Sequence, residues 1–216
     1  CSGCFKDLNG ILQPVGNALD GIRLDNVFNA EIGKLTAGVT EDLMNKFAGN
    51  SGRGIQVQGG EANKILSNLV GTGKYGELNV GNSLEGLKLD NSSNNTVGGV
   101  DKGNTFSGNG GDGIRSESSN GSIFSGNLVG VLRRLDNQLQ SAPNGANGLS
   151  IINSALNSIG DPVAGGGNIF SANHQIGVLI DGFTSGANRI WNNKIGVVAD
   201  PPPPAPEPQL PLRPIT

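Results

Sequence analysis

Cys1 and Cys4 are the most chemically pointed residues of the chain. A Cys-Ser-Gly-Cys loop can close a disulfide within itself or to a second chain in an oxidising compartment. Lipid attachment at Cys1 is a second reading, because Cys-Ser-Gly is what lipoprotein processing leaves at a mature start, and two inert thiols are a third. A redox motif would need a βαβ context, which does not follow. The single histidine, His174, lacks the spaced partners that a metal site or a Ser-His-Asp arrangement requires, and reads as structural. Gly110-Gly-Asp-Gly113 has the makeup of a calcium-binding glycine-rich turn. Such turns share the ion between tandem copies, and this one stands alone, so it reads as turn geometry. Arg133, Arg134 and Asp136, within Val131–Pro143, are the best candidates for a glycan or partner contact, since loops on a rigid scaffold carry function more often than the scaffold does. The insert around Thr40–Met44 is a second such departure. Asn91, Asn94 and Asn120 head Asn-x-Ser/Thr sequons, glycosylation candidates in a host that uses them. No catalytic, cofactor or metal residues are assigned.

The elements that must position these residues are repeats. Asn45-Lys-Phe-Ala-Gly-Asn50 returns as Asn104-Thr-Phe-Ser-Gly-Asn109 and Asn168-Ile-Phe-Ser-Ala-Asn173, and Val15–Asn26 is nearly rewritten as Val80–Asn91. Aligned on Gly21, Gly86 and Gly148, the units are 65 and 62 residues long. Within the last unit Leu149, Ile169 and Ile190 are 20 and 21 apart, and Ile159, Val178 and Ile195 form a second series. Short apolar strands bounded by Gly, Asn, Ser and Asp, returning at that interval, predict a β-solenoid with coils of roughly 20 residues, about nine in all and roughly 40 Å long. Phe47, Phe106 and Phe170 are expected to stack in the core. Asn50, Asn109 and Asn173, or Asn68, Asn127 and Asn193, are expected to turn corners as amide ladders. Asp25, Asp90 and Asp181 occupy equivalent places in three units, so they are expected about three coils, or roughly 14 Å, apart. That exceeds the ~5–10 Å of a glycosidase pair.

Asn104-Thr-Phe-Ser-Gly-Asn-Gly-Gly-Asp-Gly-Ile114, Asn68-Leu-Val-Gly-Thr72 and Val97-Gly-Gly99 resemble the right-handed parallel β-helix repeats of secreted and cell-surface bacterial and archaeal proteins. The resemblance covers about residues 15–199. It implies an all-β, right-handed, single-stranded parallel β-helix with three parallel sheets. Enzymes of pectin breakdown, epimerases, tailspikes, adhesins and surface-layer components all use that fold, so it does not assign an activity. The Asn-Thr-Asp, Asp-Asp and Gly-His-Gly set of polygalacturonase-like sequences is missing, and the calcium and arginine pattern of pectate lyases cannot be matched.

Composition narrows the class. A net charge of −3 without a basic cluster gives nucleic acid no electrostatic footprint, and no apolar run is long enough for a spanning helix. Residues 1–14 read as a capping or joining segment and 15–199 as the solenoid. Residues 200–216 (DPPPPAPEPQLPLRPIT) read as an extended tail, because proline lacks the donor that a sheet needs. A start at Cys rather than Met suggests a processed, exported chain. Solenoid ends expose unpaired backbone and an apolar rim. The leading expectation is therefore an extracellular structural protein, a homo-oligomer that stacks head to tail into a surface filament, sheath or adhesive appendage, with segment and tail as joints. Alternatives are a polysaccharide-binding or polysaccharide-degrading β-helix, which these few aromatics (Trp191, Tyr75 and seven Phe) serve poorly, and a monomeric stalk of a larger surface protein.

Overall fold

The computed structural model describes residues 4–6, 12–14, 16–33, 44–72, 80–134 and 137–196. Cys1, the side chain of Cys4, Asp136, most of the 40–44 insert, Tyr75 and the Pro-rich tail lie outside them. Three six-stranded parallel sheets form the body. Sheet A comprises Ile22–Asp25, Ile55–Gln58, Leu87–Asp90, Ile114–Glu117, Leu149–Ile152 and Val178–Asp181. Sheet B comprises Glu31–Ile32, Lys64–Ile65, Thr96–Gly98, Ile123–Ser125, Ser158–Ile159 and Arg189–Ile190. Sheet C comprises Asn45–Phe47, Asn68–Val70, Thr105–Phe106, Leu128–Val129, Ile169–Phe170 and Lys194–Ile195. The chain visits A, B and C in turn, six times, which makes a parallel β-helix. The right-handed winding expected from the sequence is the hand that parallel crossovers take. Cys4–Lys6 and Leu12–Pro14 pair antiparallel in a small sheet of their own.

Six coils correct the expectation of about nine, and at ~4.8 Å per coil the stack measures about 24 Å. Sheet A strands begin at 22, 55, 87, 114, 149 and 178, so a coil takes 27 to 35 residues. The 20-residue interval is two strands of a coil rather than one turn: Leu149 lies in sheet A, Ile169 in sheet C and Ile190 in sheet B of the next coil. The units of 62–65 residues are pairs of coils. The B-to-C connection is longer in coils 1, 3 and 5 than in coils 2, 4 and 6, and the C-to-A connection is longer in coils 2 and 4 than in coils 1, 3 and 5. Side-chain size follows the same alternation, with Phe47, Val70, Phe106, Val129, Phe170 and Ile195 in register along sheet C.

Alternation of side chains across a strand places one set inside. Ile55, Val57, Leu87, Leu89, Ile114, Leu149 and Ile151 from sheet A join Ile65, Val97, Phe124 and Ile159 from B and Phe106 and Phe170 from C in one fully buried column. Phe47, in the first coil, is only partly buried against it. Coil 4 carries Ser116 where other coils carry an aliphatic residue, and there Phe124 supplies the volume.

Two unbroken ladders of asparagine flank sheet C. One runs Asn17, Asn50, Asn82, Asn109, Asn144 and Asn173, each Nδ2 donating to the next Oδ1 at 2.7–2.9 Å or 3.0 Å. The other runs Asn45, Asn68, Asn104, Asn127, Asn168 and Asn193 at 2.9–3.0 Å. The first and last Asn of the repeated hexapeptide thus belong to different ladders. Among the described ladder residues none is left-handed; left-handed residues stand beside them, as at Gly49, Gly108 and Ala172, and one full column follows sheet A: Asn26, Gly59, Asn91, Ser118, Asn153 and Gly182. A Cβ at Gly59 would stand 2.3 Å from Asn26 Oδ1, so a larger residue there would have to displace that side chain.

Candidate functional site

The outward side of sheet A carries the densest chemistry. Its second-position row reads Arg23, Gln56, Lys88, Arg115, Ser150 and Leu179, and its fourth-position row Asp25, Gln58, Asp90, Glu117, Ile152 and Asp181. A third row, two residues before the strands, holds Asp20, Arg53, Glu85 and Asp112 in coils 1–4. Strand register, not loop conformation, therefore sets the spacing of these groups.

The charges interlock. Lys88 Nζ reaches Asp90 Oδ2 at 3.5 Å and Glu117 Oε2, on the next coil, at 3.3 Å. Arg115 Nε holds the same Glu117 oxygen at 3.1 Å, and its Nη1 lies 3.7 Å from Asp112 Oδ2. In coil 1, Arg23 Nε donates to Asp25 and its Nη2 to Gln58 Oε1 at 2.7 Å. Arg53 Nε stands 2.8 Å from Glu85 Oε2. Both atoms are buried and neither makes an aligned hydrogen bond, so that contact is coulombic. Gln56 is only 3% exposed although alternation points it outward, and its Oε1 has no hydrogen-bond partner.

Hydrogen bonding from Arg115 holds the Glu117 carboxyl below its ordinary range against a partial cost of burial, with Lys88 adding to the effect. Burial disfavours the Arg115 charge, but Glu117, Asp112 and Glu85 together hold the guanidinium above its usual value. Arg23 is likewise raised, first by its hydrogen bond to Asp25. Glu117 is therefore a carboxylate, an acceptor and not a proton donor, at neutral pH.

Placement of the sequence-derived candidates is mixed. Asp25 and Asp90 lie two coils apart and Asp181 three coils beyond Asp90, all on one row. The even spacing of three coils is thereby corrected. The carboxylate pair is Asp90 with Glu117, register neighbours on adjacent coils. Sequence reading missed it, although Ile22-Arg-Leu-Asp25, Leu87-Lys-Leu-Asp90 and Ile114-Arg-Ser-Glu117 share one apolar-basic-x-acidic signature. Arg133 and Arg134 belong to a hairpin outside the three sheets, Val131–Arg133 with Leu139–Ser141, away from this row. Arg133 lines a separate groove of 390 Å³ with Lys194 and Asn192. His174 is exposed, its backbone N–H donating to Asn144 O. Asp112, from the glycine-rich turn, accepts from the Asn147 N–H on the next coil. Asn91, Asn94 and Asn120 are exposed on the corner that follows sheet A. A second concavity, of 540 Å³, runs along sheet B between Glu31, Lys64, Lys102 and Asp161. Among the described residues no three His, Cys, Asp or Glu side chains gather as a metal site, and no helix is long and apolar enough to cross a membrane.

Neither a family model nor a curated protein matches the sequence. Among solved structures, a double mutant of the periplasmic alginate epimerase AlgG matches at 20% identity with a TM-score of 0.53, over 80% of this chain. The chain is a parallel β-helix. At that identity the likeness is one of fold, and this chain spans 36% of the length of the epimerase structure.

Proposed function

We propose that this chain is a polysaccharide-binding β-helix protein of the cell exterior, with its ligand laid along sheet A of coils 1–4. The observation that carries the reading is the in-register array of Arg23, Lys88 and Arg115 beside Asp25, Asp90 and Glu117. Coils repeat every ~4.8 Å, close to the advance of one sugar in an extended 1→4-linked glycan, so successive coils can present like groups to successive sugars. Guanidinium and carboxylate groups fixed by charge-assisted bonds are strong, preorganised partners for hydroxyls. The similar structure, an alginate epimerase, adds that this fold is used on a polysaccharide elsewhere. Because Glu117 is held ionised, it suits holding a hydroxyl better than protonating a glycosidic oxygen, and the reading is binding, not cleavage. Affinity electrophoresis against a polysaccharide panel tests it. Retardation that Glu117→Gln weakens by about tenfold supports it, a charged hydrogen-bond partner being worth that much. Turnover of any polymer, or no retardation by the whole panel, would overturn it.

Head-to-tail assembly into a surface filament is a second reading, favoured by the last coil. Ile190 and Ile195 occupy inward positions yet are 54% and 50% exposed, and the outer edges of all three coil-6 strands lack a strand neighbour among the described residues. Residues 1–14 and 200–216 would be its joints, with a Cys1 or Cys4 disulfide or a lipid on Cys1 as the anchor. In-register stacking would set Asp181 against Asp25, Lys194 against Lys46 and Arg189 against Glu31 of the next copy. Two of those three contacts repel. Asp181→Asn with Lys194→Gln should therefore promote assembly in sedimentation velocity, and a chain that stays single at every concentration with and without them removes this reading.

A further inference from the structure

We infer that the sheet A face selects an amine-bearing polysaccharide over a polyuronate; the inference rests on the binding reading above and names its substrate class. Six carboxylates crowd the rows of coils 1–4: Asp20, Asp25, Glu85, Asp90, Asp112 and Glu117. Four cations face them, Arg23, Arg53, Lys88 and Arg115, and each already contacts at least one carboxylate. A polyanion would have to displace a fixed partner from every cation it met while passing the surplus of negative charge. A ligand ammonium also meets carboxylates that are paired, but the surplus of six carboxylates over four cations attracts it where it repels a polyanion.

The cradle for such an ammonium is already displayed by the protein itself. Lys88 Nζ sits between Asp90 and Glu117, one carboxylate from each of two adjacent coils, at 3.5 and 3.3 Å. A sugar ammonium on the solvent side of the same row would find carboxylates that are 24%, 33% and 55% exposed at Asp90, Glu117 and Asp25. The unpartnered Oε1 of Gln56 is an independent sign of a ligand. It is a buried acceptor on the row between Arg23 and Lys88, and none of the described residues satisfies it. A buried acceptor left open costs free energy unless a donor arrives. An ammonium or a hydroxyl supplies that donor.

Affinity electrophoresis of the full chain would compare chitosan, neutral dextran and alginate, at a pH where the glucosamine is protonated and at low and high salt. Chitosan should bind about tenfold or more tighter than dextran and lose that advantage in high salt, and alginate should not bind. Asp90→Asn with Glu117→Gln should remove the preference. Ile152→Asp, which extends the acidic row into coil 5, should strengthen it, and that gain cannot come from unfolding. Alginate binding as tightly as chitosan, or a preference untouched by these variants, would overturn the inference while leaving polysaccharide binding in place. Retention of no polymer would overturn both.

Discussion

Coils 4 and 6 are built on the same rows and differ in what stands beside them. In coil 4 the inward residues Ile114, Phe124 and Val129 are fully buried, with a coil on each side. In coil 6 Val178 and Ile180 are partly buried, and Ile190 and Ile195 about half exposed. No coil of this fold buries its own core; its neighbours do that for it. The outward rows differ too. Coil 4 carries Arg115 and Glu117, coil 6 carries Leu179 and Asp181, and in coil 5 the same positions are Ser150 and Ile152. Since coils 5 and 6 wind without the charged array, folding does not require it. The array in coils 1–4 is the part of the surface free to answer to a ligand.

The sharpest way to break the comparison is to empty the same kind of site in both coils. Phe124→Ala leaves a cavity that neighbours on both sides cannot fill and should cost about 3–5 kcal/mol. Ile195→Ala removes a side chain that is half in water already and should cost about 1–2 kcal/mol. Chemical denaturation of both variants measures the contrast. Equal losses would mean that the end of the stack is covered in solution.

The ladders give a smaller version of that contrast. Asn127 donates to Val97 O and to Asn168 Oδ1, and its own Oδ1 accepts the backbone N–H and the amide of Asn104. Asn127→Ala strands several of these groups away from water and should cost about 3 kcal/mol. Asn193 makes the equivalent bonds to Ile159 O and Asn168 at the open end. There water can replace the amide, and Asn193→Ala should cost about 1 kcal/mol in the same denaturation series.

Much of this was legible in the residues and some was not, for a physical reason. Asn45–Asn50 and its two echoes displayed the inward Phe and both ladder asparagines, because burial and amide stacking demand those types at fixed offsets. They displayed them only on alternate coils. Phe on odd coils and Val or Ile on even ones fill one column by taking turns, so sequence self-similarity follows the pair and hides the single coil. Turn lengths vary without strain at a solenoid corner, which blurs the coil further. The charged site was hidden for the same reason. Asp90 and Glu117 are neighbours only once Leu87-Lys-Leu-Asp90 and Ile114-Arg-Ser-Glu117 are known to be successive strands, and Ser116, inward but polar, disguises the second.

The smallest effect concerns charge on the coil 4 row and its pH dependence. Arg115, followed by Lys88, depresses the Glu117 carboxyl in the folded chain. Unfolded, the group returns to about 4.3. A group depressed on folding contributes stability that is fully present above its unfolded value and fades as pH falls through the folded one. Glu117 should therefore help the fold fully at pH 6 and lose that contribution as the pH falls through its depressed folded value. Its side chain is 33% exposed, so solvent screening holds the contribution below about 1 kcal/mol. Glu117→Gln should flatten the acid limb of the stability profile slightly and make it less salt-sensitive, in thermal melts taken from pH 3 to 7. An acid limb that Glu117→Gln leaves unchanged would show that it reflects net charge alone and that the coil 4 pairing contributes nothing to it.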